Sequence, residues 1–268
     1  MLRTAADFDA GREGRGMRFG ALALAASLLL PVTAGGADVP ATLAGVRKQV
    51  ESADYRMSGR LVLVNASGAR KSSEVTIRAR WFPGILRVLV EVTSPAQARV
   101  HVLLEMRPGG KSTIEIAHPG DKAATVVPFE KWNEGPLGDG FSYEDFIDSS
   151  YFWAGQTSLG VTKYGARNCD LIRSTPEGAD RTQYSQVKSW LDQSSDFPVY
   201  VEKTEKASGA VKEFTYFGLR HTEGVWSATQ VEAKIRGQAG STLLIIDHGS
   251  ANAHLGLKDF SSTQLTEF

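Results

Sequence analysis

The 268-residue sequence has a single cysteine, Cys169, so it can form no internal disulfide and assemble no cysteine-based zinc site. Packing has to hold the fold together. The sequence also lacks net charge. Thirty Lys+Arg cancel thirty Asp+Glu, which removes the electrostatic footprint of a nucleic-acid binder. Nucleic acid is not an expected partner. Its five histidines, His101, His118, His221, His248 and His254, never fall at a metal-binding His-x-x-x-His spacing, and no Gly-x-Ser-x-Gly elbow or phosphate-cradling glycine loop occurs. No metal and no cofactor are expected. No repeat of fixed period is present, and no shift of composition marks a linker.

The N-terminal apolar run from Phe19 to Leu30 falls short of the ~20 residues of a comfortable membrane span. Arg12, Arg15 and Arg18 precede it, and the small-residue stretch from Pro31 to Ala37 follows. This is the layout of a cleaved export signal over residues 1 to 37, with Met1 or Met17 as the start; an uncleaved anchor is the alternative. The mature chain, residues 38 to 268, is then expected in the periplasm as one monomeric domain. No cysteine follows the run closely, which excludes a lipid-anchored mature N-terminus.

Leu43, Val46, Val50 and Ala53 recur at helical spacing within residues 42 to 53 and predict one amphipathic helix. The period then changes to two. Apolar residues alternate with polar ones around Met57 to Leu63, Val75 to Trp81, Leu86 to Val92, Val100 to Met106 and Thr113 to Ala117, with turn residues such as Asn65-Ala66-Ser67-Gly68 and Pro83-Gly84 between them. The second half continues in this style at Asp170 to Arg173, Tyr184 to Asp192, Val199 to Glu205, Val211 to Leu219, Thr229 to Arg236 and Ser241 to Asp247, and a tail carrying Phe260, Leu265 and Phe268 is expected to dock on the sheet. Such alternation belongs to antiparallel sheets with one wet face, so the fold class is mainly β (α+β) with about eleven strands.

Between the halves lies Leu137-Gly138-Asp139-Gly140-Phe141-Ser142-Tyr143-Glu144-Asp145-Phe146. Glycines 138 and 140 suit a tight loop, and Ser142 followed by Asp145 resembles a capping box, so a short helix is predicted to begin at Ser142 with Phe141, Phe146 and Ile147 inward. Glu144 and Asp145, adjacent on a helix, diverge by about 100° and are not expected to share a site. Asp247-His248, with Ser241 or Ser250 as nucleophile, is the one acid-base pair that suggests a hydrolase, although neighbours on a strand point to opposite faces. Asn65-Ala66-Ser67 matches a glycosylation acceptor and is read as a turn, and Cys169 as a small buried residue.

Two predicted helical pieces are little cover for so much apolar sheet. Either the sheet folds on itself as a sandwich, or it curls around a cavity that could take an acyl chain.

The order of motifs resembles the outer-membrane lipoprotein-sorting family of LolA-like proteins. The residues that carry the resemblance are Gly138 to Phe146, then Trp190-Leu191-Asp192, Phe197-Pro198-Val199-Tyr200-Val201-Glu202-Lys203, Gly224-Val225-Trp226-Ser227-Ala228, Val231-Glu232-Ala233-Lys234 and Ser241-Thr242-Leu243. The chain departs from the family pattern at Ile114 to Pro119, where a "Y-x-P" strand end is usual, and at Ala228, where the family has proline. The resemblance implies an unclosed antiparallel β-barrel with a helical lid whose concave face receives lipid, without a cofactor.

On that reading Leu61, Leu63, Val75, Ile77, Trp81, Leu86, Val88, Val90, Val102, Leu104 and Ile114 face the cavity, and Phe141, Tyr143 and Phe146 belong to the lid. The implied partners are a lipid or acylated lipoprotein, an inner-membrane transporter and an outer-membrane acceptor. The implied function is a periplasmic carrier; the alternative is an envelope sensor or interaction module on the same fold, working with an export pump.

Overall fold

A computed structural model describes residues 39–135 and 140–268, and these fall in a single compact unit. The export signal and the loop residues 136–139 lie outside the described residues. The helical periodicity near the start produces α1 (Val39–Glu51). The alternating stretches then produce β1 (Asp54–Val64), β2 (Arg70–Phe82), β3 (Ile85–Ser94), β4 (Val100–Met106), β5 (Thr113–Ala117) and a two-residue β6 (Thr125–Val126).

After a corner that contains three short 3-10 turns come β7 (Gly155–Tyr164), β8 (Arg167–Thr175), β9 (Tyr184–Asp192), β10 (Phe197–Glu205) and β11 (Val211–Phe217). A small hairpin, β12 (Arg220–Thr222) with β13 (Val225–Ser227), leads to β14 (Gln230–Ile235) and β15 (Ser241–Ala251); α2 (Ser262–Thr266) closes the tail. Among the described residues no helix is long and apolar enough to cross a membrane.

Thirteen strands form one antiparallel sheet in the order β6-β5-β4-β3-β2-β1-β15-β14-β11-β10-β9-β8-β7. The first and last long strands meet in its middle, with Leu61 opposite Leu244. β6 and β7 are the free edges, so the barrel is unclosed, as expected. The count exceeds the expected eleven because β6 is only two residues long and β7 carries no apolar alternation: Thr157, Leu159, Val161 and Lys163 of this edge strand are all exposed. β12 and β13, three residues each, were likewise too short to register as a periodic pattern.

One sheet face carries the main core, built from Leu61, Val75, Ile77, Val88, Val90, Val102, Leu104 and Ile114 together with the corner. On the opposite face the tail docks as expected, with Phe260 and Leu265 against Leu89, Leu103 and Ala117, and Phe268 stacked 4.0 Å from His101. α1 packs Leu43 and Val46 on Tyr151, Ile172 and Leu191. Cys169 is buried, and burial raises its thiol pKa.

Candidate functional site

Because β6 and β7 are opposite edges, the chain joining them has to cross a face of the sheet. It crosses the apolar one. Trp132, Phe141, Tyr143, Ile147 and Trp153 join the same core cluster as the strand residues beneath them. Gly140, at φ 107°, makes the entry turn where a Cβ would come within 2.9 Å of the Thr242 hydroxyl.

The expected capping box is present: the Ser142 N–H and Oγ both donate to Asp145 Oδ2, at 2.9 and 2.7 Å. The helix it opens is only a 3-10 turn, Tyr143–Phe146, ended by Ile147 in extended conformation. Tyr143, Glu144 and Asp145 are all buried, so the segment has no solvent face on which an α-helix could continue.

Beneath this turn β10 and β11 place Lys203 directly opposite Lys212. Both are buried, and like charges directly opposite on a sheet repel. Asp145 resolves the conflict. Its Oδ1 lies 3.1 Å from Lys203 Nζ, its Oδ2 lies 3.3 Å from Lys212 Nζ, and the Tyr184 hydroxyl donates to Oδ1 at 2.6 Å. Burial pushes the Asp145 pKa up, but the two ammonium groups and the Tyr184 and Ser142 hydrogen bonds outweigh it and hold the carboxyl well below its ordinary range. Glu205 adds a second carboxylate 3.6 Å from Lys212. The corner is thus pinned to the sheet through one carboxylate.

Glu144 points elsewhere, accepting hydrogen bonds from the Thr182 hydroxyl and, at 2.9 Å, the Gln183 N–H. Burial is the larger influence and lifts its pKa from 4.5 to about 7. A carboxyl with a raised folded-state pKa destabilises the fold where it must ionise. Stability is therefore expected to fall as pH rises from 4.5 towards 7, by about 3 kcal/mol if the whole shift is expressed. Glu144→Gln mimics the protonated acid: its amide can donate to Thr182 while its carbonyl accepts from Gln183. Urea melts at pH 5 and pH 8 should differ more for the native chain than for the variant, in which Asp148 and the other shifted groups still titrate; equal pH dependence in the two would exclude Glu144 as a source.

The crossing segment leaves part of the concave side unfilled. A cavity of ≈ 370 Å³ remains between α1 (Val46, Val50), β1 (Tyr55, Met57), the sheet centre (Val231, Leu244, Ile246) and the β12–β13 hairpin (Val225, Trp226). Of the residues expected on a cavity wall, Leu86 and Val88 line it. Leu61, Val75, Ile77, Val90, Val102, Leu104 and Ile114 are buried in the core cluster under the corner. Trp81 is half-buried and stacks on Phe152 at 5.4 Å, and Leu63, near the end of β1, is only partly buried. Of the lid residues Phe146 borders the cavity, whereas Phe141 and Tyr143 are core. The structure therefore divides the apolar face between filled core and open cavity.

One acid enters this wall. Asp148 borders the cavity and is pushed to a raised pKa, first by burial and then by Asp145, with Lys203 opposing. Tyr55, Tyr151 and Tyr216 also border the cavity, and each has a raised hydroxyl pKa, from burial first and then from Asp148. Asp247 and His248 lie at the rim on the same side, contrary to the strand alternation, because β15 bulges there: Ser58 pairs with His248 and Gly59 with Ile246. Arg60 clamps Asp247 through two hydrogen bonds of 3.1 Å. Among the described residues His248 has no hydrogen bond to Ser241 or Ser250, so a nucleophilic relay is not assembled.

A second depression, ≈ 380 Å³, lies on the opposite face between the tail and β3 to β5, where Arg87, Glu105 and Glu115 form much of its wall.

The sequence reading missed Lys203, Lys212, Tyr184, Asp148 and Arg220. The lysines did leave a signal, since they occupy the inward phase set by Val201 and Phe214.

A family model described as uncharacterized-protein-like matches residues 87–267. An outer membrane lipoprotein-sorting protein domain from Vibrio parahaemolyticus superposes with a TM-score of 0.75 at 17% identity, over 85% of this chain and 99% of that one. The chain belongs to the matched family, and its fold is LolA-like. A DUF1329 family protein from Desulfovibrio piger gives a TM-score of 0.76 at 16% identity, over 85% of this LolA-like chain and 99% of that one. A LolA superfamily protein from Nitrosomonas europaea gives 0.62 at 15% identity, over 84% and 99%. No curated protein matches the LolA-like chain in sequence.

Proposed function

We propose that the protein is a periplasmic carrier that binds the acyl chain of a lipid or lipoprotein and moves it toward the outer membrane. The observation that carries this reading is the ≈ 370 Å³ cavity, with apolar residues from the helix, the sheet centre and the hairpin, in a fold shared with a lipoprotein-sorting domain. The paired charges beneath the corner give no comparable opening. Removal of residues 1 to 37 after export would leave a mature chain starting at Asp38. Loading and release would be exchanges with an inner-membrane transporter and an outer-membrane acceptor, each driven by a difference in affinity between closed and open forms.

Native mass spectrometry of the protein purified from its own periplasm without detergent, followed by lipid extraction, tests the reading. A discrete adduct with the mass of a lipid or acylated peptide is the expected result. A clean apo mass with no uptake of added fatty acid or phospholipid would remove the carrier reading and favour an interaction module acting through protein contacts.

A further inference from the structure

The cavity's size and the charges at its mouth define a narrower ligand class than "lipid". At about 30 Å³ for each water-sized group, ≈ 370 Å³ encloses about twelve methylene units. That is one acyl chain of moderate length. Two or three chains would need several hundred Å³ more, and on this face the additional room is occupied by Trp132, Phe141, Tyr143 and Trp153. These residues lie on the crossing segment that Asp145 pins to Lys203 and Lys212, so the cavity cannot widen toward them without breaking buried ion pairs.

The charges give the orientation. Arg220, on the hairpin that overhangs the cavity, borders it and is exposed, whereas the Arg56 side chain turns to the opposite face of the sheet, toward Asp259 of the docked tail. Among the described residues Arg220 has no carboxylate partner. Arg60, by contrast, is fully engaged with Asp247. An anionic head would find a free guanidinium group at the mouth. Further in, the polar wall is Asp148 among tyrosines, which repels an anion when ionised and offers it no cation. The head has to stay outside.

We infer that the cavity takes an anionic amphiphile with a single acyl chain, tail inward, with its head held at the mouth by Arg220. The inference rests on the carrier reading and adds the chain number, the head charge and the orientation.

Calorimetric titration of the purified protein with four probes separates the two: dodecanoate, a monododecanoyl lysophospholipid with an anionic head, uncharged monododecanoylglycerol, and a didodecanoyl phospholipid with the same anionic head. Dodecanoate and the lysophospholipid should bind one to one, and the diacyl lipid at least tenfold more weakly. In an Arg220→Ala variant, dodecanoate should weaken about tenfold more than monododecanoylglycerol.

Equal affinity for the monoacyl and diacyl lipids would overturn the single-chain limit and leave the carrier reading standing. Equal weakening of the charged and uncharged probes would overturn the placement of the head. Failure of all four probes to bind would overturn the carrier reading itself.

Discussion

Replacing Asp145 by alanine is expected to lower the stability of the fold by about 3–5 kcal/mol, the range for removing one partner of a buried ion pair. The loss exceeds that of a single hydrogen bond because the substitution removes the carboxylate from Lys203 and leaves Lys212, directly opposite and also buried, with Glu205 alone, while the Tyr184 hydroxyl loses its 2.6 Å acceptor. Glu205, at 3.6 Å from Lys212, cannot serve Lys203 as well. Urea denaturation at pH 7 reads the effect as a lowered midpoint.

An apolar replacement of the whole set, Asp145→Leu with Lys203→Met and Lys212→Met, should recover much of the loss, because the two buried ammonium groups are removed together with their shared carboxylate. A small effect of Asp145→Ala, or no recovery in the triple variant, would mean that the carboxylate does not pin the corner. The pH dependence runs opposite to that of Glu144. The Asp145 pKa is depressed in the folded chain, so its contribution is fully present above its ordinary value of 3.8 and is lost as pH falls through the folded value. The two acids together bound the stability optimum from both sides.

The same hub explains which parts of the molecule were legible in the sequence. β1 to β5 were legible because each alternates over at least five residues and one face is buried, and period two survives small errors at strand ends. β7 was not, because an edge strand with little to bury has no pattern to repeat. Asp145 was read as a cap, and it is one; its second role depends on a register 58 to 67 residues away, where the turn after Glu205 sets Lys203 against Lys212. Lysine in the inward phase of two adjacent strands is the trace this leaves, and it becomes meaningful only once the strands are known to pair.

The division of the apolar face was beyond reach for a similar reason. Val90 and Val88 share one strand and one face, yet only Val88 reaches the cavity, because the path of the corner over the sheet decides which positions stay open. The bulge at Asp247 depends on a backbone contact as well: a Cβ at Gly59 would lie 1.9 Å from the Ile245 carbonyl oxygen, so the close approach of β1 and β15 requires glycine there.

That glycine makes the most direct test of the cavity possible. Ile246 lines the cavity and pairs with Gly59, so no facing side chain occupies the space beside it on the sheet. Ile246→Trp adds about six non-hydrogen atoms, roughly half of the twelve or so that ≈ 370 Å³ can hold. At ~0.8 kcal/mol for each methylene kept out, the variant is expected to bind dodecanoate at least a hundredfold more weakly.

Ile246 is only partly buried in the native chain, so its thermal midpoint should move by no more than a few degrees. Val231→Trp fills the same space from β14 and should reproduce the loss, which separates filling from any local damage to β15. Undiminished dodecanoate binding in both variants would place the acyl site outside this cavity. A loss in both, with the fold intact, would tie acyl binding to the space between α1, the hairpin and the centre of the sheet.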